Sequence, residues 1–596
     1  MKKRIFPGML ILPAALLMLA AVFSSCKKYL EVEPVSSFGS DYVFSNVVNA
    51  EKAVLGTYYN LTGDQGYGIR ISMYYTYDND LMMGQGGAAD NERRDLAHYR
   101  ATANNTQLAR PFNQLYEGVE KANICIYNIP RMDMYTNGNS SQQADLKRLY
   151  GESLTLRAQF YLELIRNWGD VPAQFLPSSI ETDLFKEKMD RDSIYDRLLD
   201  DLAMAETLVP WRSQVAKDER ITQGAVRALR ARIALYRGGY SLRRGSNQME
   251  RGSNHMAYYQ IARDECQAIM QSNEHHLNAS YESLFKNYVA GKQIEPNGEI
   301  IWEVAMGGGN SASGDSKLGY YNGPRSNNNG NAALTVLPSY FYMFDSTDTR
   351  RDVMCVPYWI TATGTTVTAR TGRNLATMVD GKFRRDWIPG GVVPGPQYFG
   401  VNWPLIRYAD VLLMFAEAEN EINNGPTAAA KSAFETVRLR AFGGNASLIG
   451  TTPSDYTGFF NAIVKERALE LGGEGIRKYD LIRWNILGQK LAETKSTLLD
   501  MSNRVAPYDN LPDYMFYKND SPALTWANAS YYSPNTLGTT APAGYTRVDW
   551  VRSSIESTII TSGLYAEGFQ ANKRELLPIP QASIDANPRL TQDYGF

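Results

Sequence analysis

The chain is 596 residues long, with 61 Lys+Arg against 63 Asp+Glu and a formal net charge of −2. That balance excludes the basic face a nucleic-acid partner needs, and four cysteines, at positions 26, 125, 266 and 355, exclude a disulfide framework. The length exceeds what one simple core serves, so two closely packed lobes, or one core with large insertions, are expected.

The N-terminus is read first. Lys2, Lys3 and Arg4 precede an almost uncharged apolar run over residues 5–23, and Ser24 and Ser25 lead into Cys26. This is the pattern of a secretory signal, not of a membrane span. A cysteine after an apolar run and two small residues resembles a bacterial lipobox. Residues 1–25 are therefore expected to be a lipoprotein signal peptide, and Cys26 the site of lipid attachment. Several acyl chains at one site anchor stably where a single chain does not. The competing reading is an ordinary signal peptide with a chance cysteine. No later stretch holds the 18 or so apolar residues of a spanning helix.

Helical periodicity dominates the next part of the chain. Residues 49–61 carry Ala50, Ala53, Val54 and Tyr58 at helical spacing, and a polar, glycine-rich passage follows to about residue 106. Further helices are predicted over 112–129, 145–168, 192–208, 223–236 with Thr222 as cap, and 257–270. The 145–168 helix has a broad apolar stripe and ends at Gly169, with Pro172 just beyond, which is ordinary stop chemistry. Residues 273–404 read differently, with many Gly, Asn, Thr and Pro. The extreme is the polar stretch 307–331, a loop long enough to be functional or disordered. Short strands are expected at 299–305 and 353–360. Helices return at 405–422, 427–441, 456–471 and 476–491, residues 500–560 look irregular, and 576–581 form an extended tail. Pairs of helices joined by short turns suggest a degenerate solenoid-like scaffold interrupted by an irregular insertion.

Catalytic signatures are absent from the sequence. The four histidines (98, 255, 275 and 276) and the cysteines show no metal-ligand spacing. There is no Gly-x-Ser-x-Gly elbow, and the run 472–475 lacks a phosphate-loop lysine. Asp78 and Asp80 are a conceivable glycosidase pair, but loop acids are the simpler reading, as they are for Asp315, Asp345, Asp348 and Asp352. Arg407, Glu417, Glu466, Arg467, Glu470, Arg477, Asp480 and Arg483 are read as a partly buried ion-pair network tying core helices together, not as an active site.

Several motifs, in order along the chain, resemble one family. They are the opening Cys26–Pro34, then Leu156-Arg157-Ala158 with Tyr161, Leu164 and the Gly-Asp-Val-Pro of 169–172, then the stretch 220–225. Next come 407–418, with Arg407, Tyr408 and Ala409 leading the helix, then 437–441, Glu466-Arg467 and 477–484, and the ending 577–595. Together they resemble the SusD/RagB-like outer-membrane lipoproteins of Bacteroidota. The resemblance implies a mainly α fold: about four helix pairs of tetratricopeptide type, with a large, irregular, loop-rich ligand-binding lobe containing short strands. The expected division is 26–272 as an N-terminal helical region, 273–404 as the ligand lobe, and 405–596 as the C-terminal helical region and tail. It further implies a lipid-anchored, surface-exposed protein of the outer membrane that binds nutrient oligomers, most often glycans, and passes them to a SusC-like TonB-dependent barrel. Peptide uptake, as in RagB-like members, is the alternative, and a surface glycoside hydrolase a more distant one. No cofactor is expected. Some members of that family hold a structural calcium ion, but no motif here locates one.

Glycan capture asks for flat aromatics to stack on sugar rings, with amides, acids and arginines to bond hydroxyls. Two stretches supply that mixture outside helical periodicity: Tyr77, Asp80, Tyr99 and Arg100 in the first, and Tyr320, Tyr321, Asn322 and Arg325 in the second. Trp359 and Trp387, and beside them Trp403, are further candidates. In starch-binding relatives the corresponding regions supply an aromatic arc; here neither stretch holds a Trp. For any one of these rings, ordinary packing is an equally good reading.

Overall fold

The computed structural model describes residues 39–216, 220–520, 522–551 and 554–596. The signal peptide and Cys26 lie outside the described residues.

Amphipathic helices build the scaffold. α1 (Val47–Tyr58) starts where the Asn46 side chain accepts from the Asn49 amide. α2 (Ala109–Asn128) and α3 (Ser140–Trp168) follow. α3 begins earlier than its apolar stripe, because Asn139 and Gln142 form a reciprocal capping box. Its last turns are buried on all sides, and Gly169 ends it at φ +78°, a conformation glycine reaches without strain. α4 (Arg191–Ala205), α5 (Gln223–Gly238) and α6 (His255–Ser272) complete the first series. Thr222 stands at the α5 cap position, but its side chain makes no capping bond, contrary to expectation. α7 (Tyr408–Asn423), α8 (Ala428–Ala441), α9 (Tyr456–Leu471), α10 (Arg477–Arg483) and α11 (Leu487–Ser502) form the second.

The helices stack in sequence. α1 packs on α2 and α3, α3 on α4, α4 on α5, and α5 on α6; α6 then packs directly on α7, which carries α8 and α9. The tetratricopeptide-like array thus runs straight across the irregular stretch, which is inserted between two neighbouring helices. One apolar core is continuous through the array and the base of the lobe, with Trp168 and Trp403 among its largest buried side chains.

Two expectations are corrected. The helix expected from 405 begins at Tyr408, because Trp403–Arg407 is a strand paired antiparallel with Ile300–Val304. The helix expected over 476–491 is two, α10 and α11, broken where Asn485 sits at φ +58°. Residues 500–560 also contain a three-stranded sheet, with Tyr514–Lys518 between Thr525–Trp526 and Thr546–Asp549.

The lobe is held by a four-stranded sheet in the order Met82–Gly84, Leu334–Val336, Val379–Asp380, Cys355–Val356. Beside it stands the hairpin Tyr358–Thr363 with Thr366–Gly372. The long polar loop is ordered, not loose. Buried Asp315 accepts the amides of Asn310, Ser316 and Gly400, and Ser316 Oγ donates to Val401 O. Farther along, Ile360 N donates to Arg325 O and Asn327 N to Ile360 O. Asp315 is therefore a knot in the loop rather than a solvated turn acid. Asp348, also buried, pairs with Arg350 at 2.7 Å.

The charged cluster on the core helices is an ion-pair network. Arg407 reaches Glu474 at 2.6 Å, Glu470 at 2.9 Å and Glu299 at 3.0 Å. Arg440 joins Glu470 and Glu299, and Arg350 joins Glu466 and Glu470. Burial by itself would raise the Glu470 carboxyl, but the surrounding guanidiniums of Arg440, Arg407 and Arg350 hold it far below the carboxylate range. A second group links Arg232 and Arg467 to Asp410, and Arg467 and Arg483 to Asp480. Buried charges compensated in this way lock helix to helix.

Candidate ligand-binding face

The ten residues singled out for ligand contact separate into three groups. Tyr77, Asp80, Tyr99 and Asn322 are interior and are reassigned to the core. Tyr77 is 1 % exposed and fills the space above Gly84. Asp80 forms a fork with Arg477, at 2.8 and 2.6 Å. Tyr99 donates to Asp78 O, with its ring edge-on to Phe569 and the Lys478 ammonium 4.6 Å from its centre. Asn322 Nδ2 donates to Asp380 at 2.8 Å, and the amide of Gly323 bonds the same carboxylate. Trp403 is interior too, stacked on Phe383. Arg100, in a second group alone, pairs with Asp95 and Glu567 and donates to Gly87 O.

Tyr320, Tyr321, Arg325, Trp359 and Trp387 make the third group: they are half-buried and belong to adjoining pieces of the lobe. The turn Leu318–Tyr321 is fixed by the amides of Asn331 and Ala333, which donate to Tyr320 O and Tyr321 O. Tyr321 stands edge-on to Tyr74 at 5.9 Å and to Tyr320 at 5.3 Å. Burial pushes the Tyr74 phenol far up, reinforced by Tyr77 and Tyr321. It is a neutral hydrogen-bonding group at any physiological pH.

The tryptophans are not bare stacking platforms. The guanidinium of Arg373 lies 4.9 Å from the Trp359 ring centre and that of Arg325 5.9 Å. Arg384 lies 3.6 Å from the centre of Trp387. Such cation–π contacts occupy ring surface that a sugar would otherwise cover. Tyr398 repeats the pattern with Lys317 at 4.6 Å, and both bond Asp64 at 3.1 Å. Arg70 lies 5.8 Å from the centre of Tyr74.

Sequence reasoning missed Arg370, Arg373, Arg384, Arg385 and Tyr398. A signal existed: four arginines fall within residues 370–385. The conceivable acid pair is also accounted for. Asp78 faces His98 Nδ1 at 2.7 Å and accepts from the amides of Gly84 and Ala566, while Asp80 is held by Arg477. Neither carboxylate reaches solvent.

Comparison with known proteins places this architecture. The family model described as the SusD family matches residues 298–596, half of the chain. The chain belongs to the SusD family. A second model, described as "Starch-binding associating with outer membrane", matches residues 28–235. Among curated relatives, SusD-like protein P25 of Formosa agariphila is 24 % identical over 523 residues, covering 81 % of this chain and 92 % of its own. A solved SusD homolog from Bacteroides thetaiotaomicron superposes with a TM-score of 0.73 at 22 % identity, covering 93 % of this chain and 98 % of that one. Surface glycan-binding protein A of the same species, in complex with laminarihexaose, gives a TM-score of 0.62 at 19 % identity, covering 92 % and 99 %. The SusD fold therefore spans both helical series and the lobe between them. No helix among the described residues is long and apolar enough to cross a membrane.

Proposed function

We propose that this SusD-family chain captures nutrient oligomers, glycans first among them, at the outer-membrane surface and hands them to a SusC-like TonB-dependent barrel. The observation that carries the reading is the face around Tyr320, Tyr321, Arg325, Trp359 and Trp387. It presents half-buried aromatics and a guanidinium on an ordered loop and the strands beside it, with buried Tyr74 packed behind Tyr321. The family-model description and the structural likeness to a protein solved with laminarihexaose support a glycan as ligand.

Binding without turnover is part of the proposal. A glycosidase needs two carboxylates roughly 5 to 10 Å apart across a cleft, and the loop pair that came nearest, Asp78 and Asp80, is buried in ion pairs. The lipid on Cys26 would tether the chain, and the polar surface of residues 500–560 is the proposed contact with the barrel. The test is incubation with neutral and anionic glycans and with peptides, followed by calorimetry and chromatography. Retention of one class intact supports the reading; cleavage, or capture of peptides alone, replaces it with hydrolase or peptide uptake respectively.

A further inference from the structure

Over residues 273–404 basic and acidic side chains balance, but one part of the lobe gathers arginines. Arg325, Arg370, Arg373, Arg384 and Arg385 lie on adjoining turns and strands. Gly330 sits where an added Cβ would meet Arg385 Nη1 at 3.3 Å and Arg325 Cα at 3.8 Å, and Gly323 where one would meet Arg384 Cβ at 2.6 Å. The carboxylates among them are few. Asp386 serves Arg370 at 3.0 Å and Arg384 at 3.6 Å, and its side chain is 1 % exposed. Asp380 lies beneath, bonded by Asn322 and Gly323, and burial pushes its carboxyl up to about 6.

Three guanidiniums have no carboxylate partner among the described residues. Arg385 is buried and donates to Gly391 O and Val393 O. Among the described residues Arg325 donates to Asn331 O alone, at 3.2 Å, and its Nε is buried without a bond. Arg373 Nε is likewise unbonded. Burial lowers the Arg373 guanidinium below its ordinary value, and the nearby charge of Arg325 lowers it further. Both half-exposed arginines converge on one ring, Trp359. Two like charges brought together without a counter-ion repel each other, and an anion between them would relieve that repulsion. The Trp359 ring lies within cation–π reach of both guanidiniums, and a planar guanidinium suits bidentate donation to a sulfate or carboxylate.

We propose that the face formed by Arg325, Arg373 and Trp359 selects an anionic oligosaccharide, one carrying sulfate esters or uronic carboxylates, over a neutral one. This rests on the capture reading and names its ligand class.

The test uses the full chain in mild detergent. Heparin, chondroitin sulfate, desulfated chondroitin and polygalacturonate are titrated beside laminarin, xylan and mannan, at low and high salt. At least one anionic polymer is expected to bind about tenfold or more tightly than every neutral one, and to weaken as salt rises. The Arg325→Gln/Arg373→Gln variant should lose about tenfold for that polymer, with its melting temperature unchanged. Chondroitin against its desulfated form tells sulfate from carboxylate recognition. A neutral glycan binding best, insensitive to salt and to the double substitution, leaves capture standing and overturns the charge selection. Anionic binding that the folded double variant retains in full also overturns it, by moving the site elsewhere. Binding of neither class overturns both.

Discussion

Asp80 and Arg477, 397 positions apart, form a two-pronged buried ion pair with N–O distances of 2.8 and 2.6 Å. It ties the loop preceding the first lobe strand to the start of α10, so an acid that looked available for a ligand is structural. Removing one partner leaves the other charge buried and alone. Asp80→Ala should therefore cost about 3–5 kcal/mol of stability. Urea unfolding measures that, and glycan affinity at permissive temperature should stay at the wild-type value. A stable variant with lost affinity would return Asp80 to the ligand site.

Tyr320 and Tyr321 should separate in mutagenesis. Tyr321 packs edge-on against Tyr74 as well as Tyr320. Its replacement by Ala should lower stability by about 1 kcal/mol or more through lost ring contacts. Among the described residues the one ring contact of Tyr320 is with Tyr321, so Tyr320→Ala should weaken ligand binding by about 1 kcal/mol while moving the melting temperature less than Tyr321→Ala does. Calorimetry and thermal melts on both variants make the comparison.

His98 supplies a pH dependence. Burial alone would lower its pKa, but Asp78, 2.7 Å away, outweighs that and the net shift is upward. A raised histidine stabilises fully below its unfolded value of about 6.5, and that contribution fades as pH rises through the folded value. Unfolding of wild type and His98→Gln should differ most near pH 5 to 6 and converge at higher pH. A gap that widens with pH would contradict the assignment.

The helical scaffold was readable because its apolar residues repeat at a helical period and its ends carry Asn, Gly and Pro. What escaped were conformations without a compositional mark. Asn485 at φ +58° splits α10 from α11, and the apolar run at 403–407 reads equally well as strand or helix start. The site was less legible still. A tyrosine or asparagine has the same polar tip whether it bonds a sugar or a neighbouring backbone, so Tyr77, Tyr99 and Asn322 could not be told from Tyr320. The arginines that flank Trp359 come from positions 325 and 373, and only the fold brings them together.

Location has its own test. Replacing Cys26 by Ala should release folded protein into the soluble fraction, since the acyl chains are the proposed tether. Protease added to intact cells should reach the wild-type protein. Resistance until the outer membrane is ruptured would place it on the inner side instead.

The central claim is capture without cleavage on the Tyr320–Trp359 face. The most direct measurement is calorimetric titration of an oligosaccharide that binds the full chain, repeated with Tyr320→Ala, with the recovered ligand run on a sizing column. The account predicts saturable binding, weaker by about fivefold or more in the variant, and a ligand of unchanged length. Shortened products, or a folded variant that binds as tightly as wild type, would contradict it.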